Sequence, residues 1–361
     1  MGMMDKDSNA YEPIRRYRRK KQPVALKAGM TVLLSVVVLV GAVIFVMSLT
    51  GTGLFRDSEN KGNVPPVSTD SDTQSDSEGS DTLADTSGTD SSTPDTLPSG
   101  EISYKYIDKN TSEIGAGDLV LIDKDHIYKF PSMTLDTLYG NMSSSYQISN
   151  SSLSLKLSAI NALNKMMDAF AAETGFTNAI VTSAYRSFDT QNGLYESYPN
   201  SAAMPGCSDY HTGVTFMLEG YIDDASGIFS LSNRQEGSWL KGNAAKYGFI
   251  FRFPSEKKSI TGYNLPWQLR YVGVPHATYM LENDLCLEEY LALLAESYRY
   301  SDTHLTVNCA DGMTYEIFYV EGADEGIVKL PVPSNRDYTV SGDNIGGFIV
   351  AVTVGETSVE A

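Results

Sequence analysis

Arg186 and Gln191 lie one helical turn and a bit apart in the run Ser183-Ala184-Tyr185-Arg186-Ser187-Phe188-Asp189-Thr190-Gln191. A guanidinium stays charged at any ordinary pH and forks onto a carboxylate through two parallel hydrogen bonds. Arg186 could therefore grip an anionic ligand, and it could equally pair with an acidic neighbour and lock the fold. A second run, Pro205-Gly206-Cys207-Ser208-Asp209-Tyr210-His211-Thr212-Gly213-Val214-Thr215-Phe216-Met217, holds a thiol and an imidazole four positions apart. A cysteine nucleophile needs a base beside it, and His211 is the one candidate. A plain small side chain in a tight loop is the reading preferred for Cys207. The other histidines, His126, His276 and His304, are expected as polar surface or loop residues, His276 just after a turn set by Pro275.

The second run resembles the zinc signature of the VanY-type D-alanyl-D-alanine carboxypeptidases, Ser-x-His-x-x-Gly-x-Ala-x-Asp. Ser208 and Gly213 keep their places, but Tyr210 stands where the first zinc ligand belongs and Met217 where the aspartate ligand belongs. Leu265-Pro266-Trp267-Gln268-Leu269-Arg270-Tyr271-Val272-Gly273 is similar to the family's Glu-Pro-Trp-His-x-Arg-Tyr-Val-Gly. Its flanks match, while Leu265 replaces the catalytic base and Gln268 the third ligand. The segment around Arg186 resembles the family's Ser-Gly-Tyr-Arg-Ser-x-x-x-Gln, which implies that Arg186, Gln191 and Ser208 face the substrate pocket. Trp239-Leu240-Lys241-Gly242-Asn243-Ala244-Ala245-Lys246-Tyr247-Gly248-Phe249 and Arg252-Phe253-Pro254, with Lys258 and Thr261-Gly262, continue the likeness. It spans roughly residues 116–296.

A catalytic zinc holds three protein ligands and a water whose pKa it lowers to about 7, and a carboxylate then moves that water's proton to the leaving amine. A thioether and a neutral amide are poor partners for zinc. A tyrosine must first ionise from about pH 10, and a leucine moves no proton. The resemblance thus implies a fold whose metal chemistry is lost: no zinc, no catalytic residue, and a pocket that binds peptidoglycan stem peptides or a cell-envelope protein. An active D,D-carboxypeptidase with an atypical metal site and a purely structural interaction module are the alternatives.

These residues must be carried by an α+β domain. The family fold, of the Hedgehog-like D,D-peptidase group, implies a small antiparallel sheet with helices packed around it. Leu153 to Glu173 is apolar at helical spacing, with a methionine-rich stripe read as core. Asp118-Leu119-Val120-Leu121-Ile122 reads as a strand. From residue 303 strand patterns take over: Leu305-Thr306-Val307 and Tyr315-Glu316-Ile317-Phe318-Tyr319-Val320 flank an Asp311-Gly312 turn, followed by runs at 327–333 and 347–354. Residues 101–300 are expected as the peptidase-like domain and 301–361 as a β-rich appendage.

The N-terminal part is of another kind. Residues 1–27 are basic, and the uncharged stretch 28–55 is apolar enough from Met30 to Leu49 to cross a bilayer of about 30 Å as a helix. The positive flank predicts a single-pass anchor with its N-terminus in the cytoplasm and the main domain extracellular. Residues 56–100 are Ser/Thr/Asp-rich and are expected to be a disordered linker, reaching roughly 35–40 Å as a flexible coil. Residues 1–28 carry eight Lys/Arg against three acids, a net +5 that leaves −23 for the rest of a chain of net charge −18. So acidic an outer part argues against nucleic acid as a partner. Three cysteines leave at least one unpaired, with Cys286 and Cys309 a conceivable disulfide.

Overall fold

The protein is described by a computed structural model over residues 100–222, 227–231 and 234–356. The expected basic segment 1–27, anchor 28–55 and nearly all of the linker 56–100 lie outside the described residues. Among the described residues no helix is long and apolar enough to cross a membrane. The described residues fall in one compact unit, with both helices and sheets.

The central sheet runs in the order β3 (Gln147–Ile148), β5 (Ala179–Ser183), β6 (Thr215–Ile222), β9 (Leu265–Tyr271), β8 (Phe249–Phe253), and β7 (Gly227–Phe229) also pairs with β6. Apart from the parallel β3–β5 pair, its ladders are antiparallel. Helix α1 (Leu157–Thr174) covers one face, because its apolar residues recur every three or four positions. Ala159, Ile160, Leu163, Met166, Met167 and Phe170 are all buried, and Gly175 ends the helix in the left-handed conformation at φ 70°. These side chains form one core with Val181 of β5, Phe216 and Leu218 of β6, Phe249 of β8 and Leu269 of β9. The methionine-rich stripe is therefore core. A two-residue ladder of β2 (Asp136–Thr137) and β4 (Ser154–Leu155) lies before α1, and α2 (Phe188–Ser197), α3 (Gln235–Asn243), α4 (Val274–Glu282) and α5 (Leu287–Ser297) are the other helices of two turns or more among the described residues.

Leu119–Ile122 is buried, but the run Asp118–Ile122 is not a strand. Side chains stand in for the missing ladder: Arg270 Nη2 donates to the carbonyls of Asp118 and Val120, Asn344 Nδ2 donates to that of Leu121, and the Leu119 N–H donates to Ser341 Oγ. Once such partners satisfy the backbone, the segment can be buried without pairing.

The C-terminal strands pack onto the rest of the unit. β10 (Leu305–Asn308), β11 (Met313–Glu321), β14 (Gly347–Glu356) and β13 (Tyr338–Gly342) form an antiparallel sheet in that order. Leu305, Val307, Ile317 and Ile349 share a core with Leu287, Leu291 and Leu294 of α5 and with Leu119 and Leu121. β12 (Ile327–Pro333) pairs with β1 (Tyr104–Asn110), from the other end of the unit. The expected boundary at residue 300 thus separates two sequence patterns but not two bodies. Gly342 permits a close approach across this junction, since a Cβ there would lie 2.1 Å from the Ile114 carbonyl oxygen.

Candidate functional site

β6 and β9 lie side by side with Met217 directly opposite Gln268, so two of the three expected ligand positions share one face of the sheet. Tyr210 belongs to a short 3-10 turn, Asp209–Thr212, which Gly213 closes at φ 70°. A Cβ on Gly213 would come within 2.7 Å of Leu135, so glycine suits both the conformation and the packing. Arg186, Gln191, Ser208, Tyr210, Leu265 and Gln268 line one cleft of about 290 Å³. Six of the seven positions singled out in the sequence are therefore brought together there, and Met217 sits beside them in the sheet.

Arg186 is held from three sides. Its Nη1 donates to Gln191 Oε1 at 3.3 Å, its Nη2 donates to Ser183 Oγ at 3.1 Å, and its Cζ lies 4.1 Å from the centre of the Tyr210 ring. Gln191 is fully buried and is itself fixed, donating from Nε2 to the Ala203 carbonyl at 2.8 Å. Burial lowers the Arg186 pKa. Among the described residues no carboxylate approaches Arg186 to ion-pair distance, so of the two readings offered by the sequence, the pairing with an acidic neighbour is not the one found.

The residues at the positions that the resemblance assigns to zinc ligands do not fit a catalytic zinc. Burial pushes the Tyr210 hydroxyl well above the ordinary phenol range, against the opposing pull of Arg186, so this oxygen stays protonated and is a poor donor to a metal. Met217 offers a thioether. Gln268 is 1% exposed and its Oε1 has no hydrogen-bond partner. Leu265 cannot exchange a proton. Among the described residues no group of three His, Cys, Asp or Glu side chains is placed to hold a metal ion.

The histidines are more deeply built in than their sequence context suggests. His211 is fully buried. Its Nε2 accepts the Gly206 N–H at 3.1 Å, so its Nδ1 carries the proton and donates to the Arg186 carbonyl at 2.7 Å. Both nitrogens are engaged and burial lowers its pKa, while burial raises that of the Cys207 thiol. A Cys207–His211 nucleophilic pair is therefore ruled out by geometry. His276 lies in the first turn of α4 instead of in a loop, hydrogen-bonded through Nδ1 to the Tyr290 hydroxyl at 2.8 Å and pushed down to about 3 by burial. Cys286 and Cys309, the conceivable disulfide, are both free and buried.

The most heavily bonded group at the cleft is one that no motif in the sequence marks. Asp209 is buried between two arginines: Arg270 Nη1 donates to Oδ1 at 2.7 Å and Arg252 Nε to the same oxygen at 3.1 Å, while Thr215 Oγ1 donates to Oδ2 at 2.6 Å. Arg252 also forks onto Glu288 of α5 at 3.0 and 2.9 Å. Burial alone would raise the Asp209 carboxyl, but Arg270, Arg252 and Thr215 together hold it below the usual carboxylate range. The available signal was a lone arginine in each of two apolar runs, Phe249-Ile250-Phe251-Arg252-Phe253 and Trp267-Gln268-Leu269-Arg270-Tyr271.

Comparison with known proteins agrees with this geometry. Residues 152–274 match the family VanY, D-alanyl-D-alanine carboxypeptidase. A D-alanyl-D-alanine carboxypeptidase of Enterococcus faecium is 32% identical over 251 residues, covering 68% of this chain and 78% of that protein. VanXYC of Enterococcus gallinarum, a bifunctional D-Ala-D-Ala dipeptidase and D-Ala-D-Ala carboxypeptidase, is 30% identical over 148 residues, 37% of this chain and 78% of its own length. The solved structure of the vancomycin-resistance D,D-dipeptidase VanXYg in complex with a D-Ala-D-Ala phosphinate analogue superposes with a TM-score of 0.61 at 26% identity. It covers 70% of this chain and 99% of VanXYg.

Proposed function

We propose that this chain, which belongs to the VanY family of D-alanyl-D-alanine carboxypeptidases, binds the carboxyl end of a peptidoglycan stem peptide without cleaving it. The observation that carries the reading is Arg186, a largely buried guanidinium on the wall of the cleft with neutral hydrogen-bond partners and, among the described residues, no paired carboxylate. Buried charges are ordinarily paired, and a C-terminal carboxylate would complete this one. The names of the relatives favour an active carboxypeptidase. The donor set of Tyr210, Met217 and Gln268, with Leu265 at the base position, weighs against it.

In this reading the domain works outside the membrane, held there by residues 28–55 and spaced from the bilayer by residues 56–100, within reach of the cell wall. The cleft is the part of the old enzyme that still acts: Gln191 and Ser183 orient Arg186, and Ser208 and Gln268 supply neutral polar contacts. Titration of the full chain with an N-acylated peptide ending in D-Ala-D-Ala tests it. Hydrogen bonds to a charged group contribute about 1.5–3 kcal/mol each, so Arg186→Ala should weaken binding at least about tenfold. Unchanged affinity in that variant would refute the assignment.

A further inference from the structure

The replacements at the old metal centre are not independent of one another in charge. The family pattern there comprises a dication and two carboxylates, one a ligand at position 217 and one the base at position 265. Removing all of them changes the net charge of the cleft by nothing. Removing the metal alone would leave two carboxylates beside Arg186. Met217 is the register partner of Ser183 on β5, and Ser183 Oγ is the acceptor for Arg186 Nη2 at 3.1 Å. Ladder partners have Cβ atoms about 4.5–5.5 Å apart, and although the β5–β6 register shifts just before Ser183, a carboxylate at 217 would stand next to the residue that holds the guanidinium. That is inside the roughly 8–10 Å over which salt leaves charges unscreened. A cation so approached would be occupied by the protein itself.

The first ligand position has gone the opposite way, from holding a metal to holding the arginine. The Tyr210 ring lies face-on to the Arg186 guanidinium, 4.1 Å from centre to Cζ, with the arrangement expected of a cation–π contact. The same two residues are also joined by backbone, since the Arg186 N–H donates to the Tyr210 carbonyl at 3.3 Å.

We infer that Tyr210 and an uncharged residue 217 are specificity determinants of a metal-free carboxylate site: Tyr210 positions Arg186 in the cleft, and the neutral side chain at 217 leaves Arg186 free for the ligand's terminal carboxylate. The inference rests on the reading that the cleft takes a carboxyl-terminated peptide. It goes further in naming what makes the site select a free carboxylate without a metal.

The test compares two probes, the N-acylated D-Ala-D-Ala peptide with a free carboxylate and the same peptide capped as its C-terminal amide, titrated against the full chain in the presence of EDTA. The readout is the ratio of the two affinities, which general loosening of the fold would not change selectively. The wild-type chain should prefer the free acid by about tenfold or more. Met217→Asp should reduce that preference to about twofold or less, while Met217→Asn, the same shape without the charge, should keep it. Tyr210→Leu should lower the preference about threefold to tenfold, the range of a cation–π contact, and Tyr210→Phe, which returns the ring, should restore it. If the wild type prefers the acid and Met217→Asp does so equally, the inference fails and the peptide-binding reading stands. If the wild type binds neither probe, both fail.

Discussion

Replacing Asp209 by asparagine removes one negative charge and almost no volume, so its effect isolates the electrostatics that fasten the Ser208–Gly213 loop to the sheet. In the native chain the side chains of Asp209, Arg252 and Arg270 are all 0% exposed. After the change Arg252 keeps its fork onto Glu288 at 2.9 and 3.0 Å. Arg270 keeps the carbonyls of Asp118 and Val120 and can keep a neutral amide oxygen at 209, but it is left with no counter-charge at contact distance. Breaking a buried pair by removing one partner typically costs about 3–5 kcal/mol, a large share of the roughly 5–15 kcal/mol that holds an ordinary domain together. Asp209→Asn should therefore lose about 3–5 kcal/mol in urea unfolding followed by the fluorescence of Trp239 and Trp267. Adding Arg270→Met to it should cost less than the two single changes summed, because the pair is coupled. The sign with pH follows from the lowered carboxyl of Asp209. Its contribution is complete above the unfolded value near 4 and is lost as pH falls from there through the folded value, a loss that the asparagine variant should not show. A destabilisation below about 1 kcal/mol with an unchanged denaturant slope would refute the view that this network anchors the loop.

Other consequences can be measured separately. His276 is held neutral by burial, with its pKa near 3 against about 6.5 when unfolded. Stability should fall as pH drops from about 6.5 towards 3, by up to ~1.4 kcal/mol per pH unit, and His276→Gln should remove that slope in urea titrations. The old centre should also be recoverable, since Met217 and Gln268 still face each other and Tyr210 and Leu265 still line the cleft. The combined change Tyr210→His, Met217→Asp, Leu265→Glu, Gln268→His should take up about one zinc per chain on metal analysis, while the parent takes up none; equal zinc content in the two would contradict this.

Much of the cleft could be read in the sequence because its motifs fix both residue type and spacing. The Ser208–Met217 and Leu265–Gly273 runs carry the resemblance, while the pairing of β6 with β9 that sets Met217 opposite Gln268 is visible only in the fold. What could not be read was whatever depends on partners distant in the chain. Asp209 occupies a position the motif leaves open, and its value comes from Arg252 and Arg270, 43 and 61 residues away. Asp118–Ile122 carries a strand's apolar pattern, yet an arginine and an asparagine side chain satisfy its backbone. The run 303–356 shows its strands by alternation, but the alternation says nothing of α5 beneath them or of β1 as partner to β12. His276 follows a proline that opens a helix, where the same dipeptide in sequence reads as a turn.

The most direct test of the central claim is a single incubation of the full chain, with excess zinc in the buffer, and saturating N-acylated D-Ala-D-Ala peptide, in which bound peptide and free D-alanine are quantified together. A bound peptide with no D-alanine above the protein-free control is the result predicted for a cleft that keeps Arg186 and lacks metal ligands and base. D-alanine released over many turnovers, and abolished by a chelator, would contradict it.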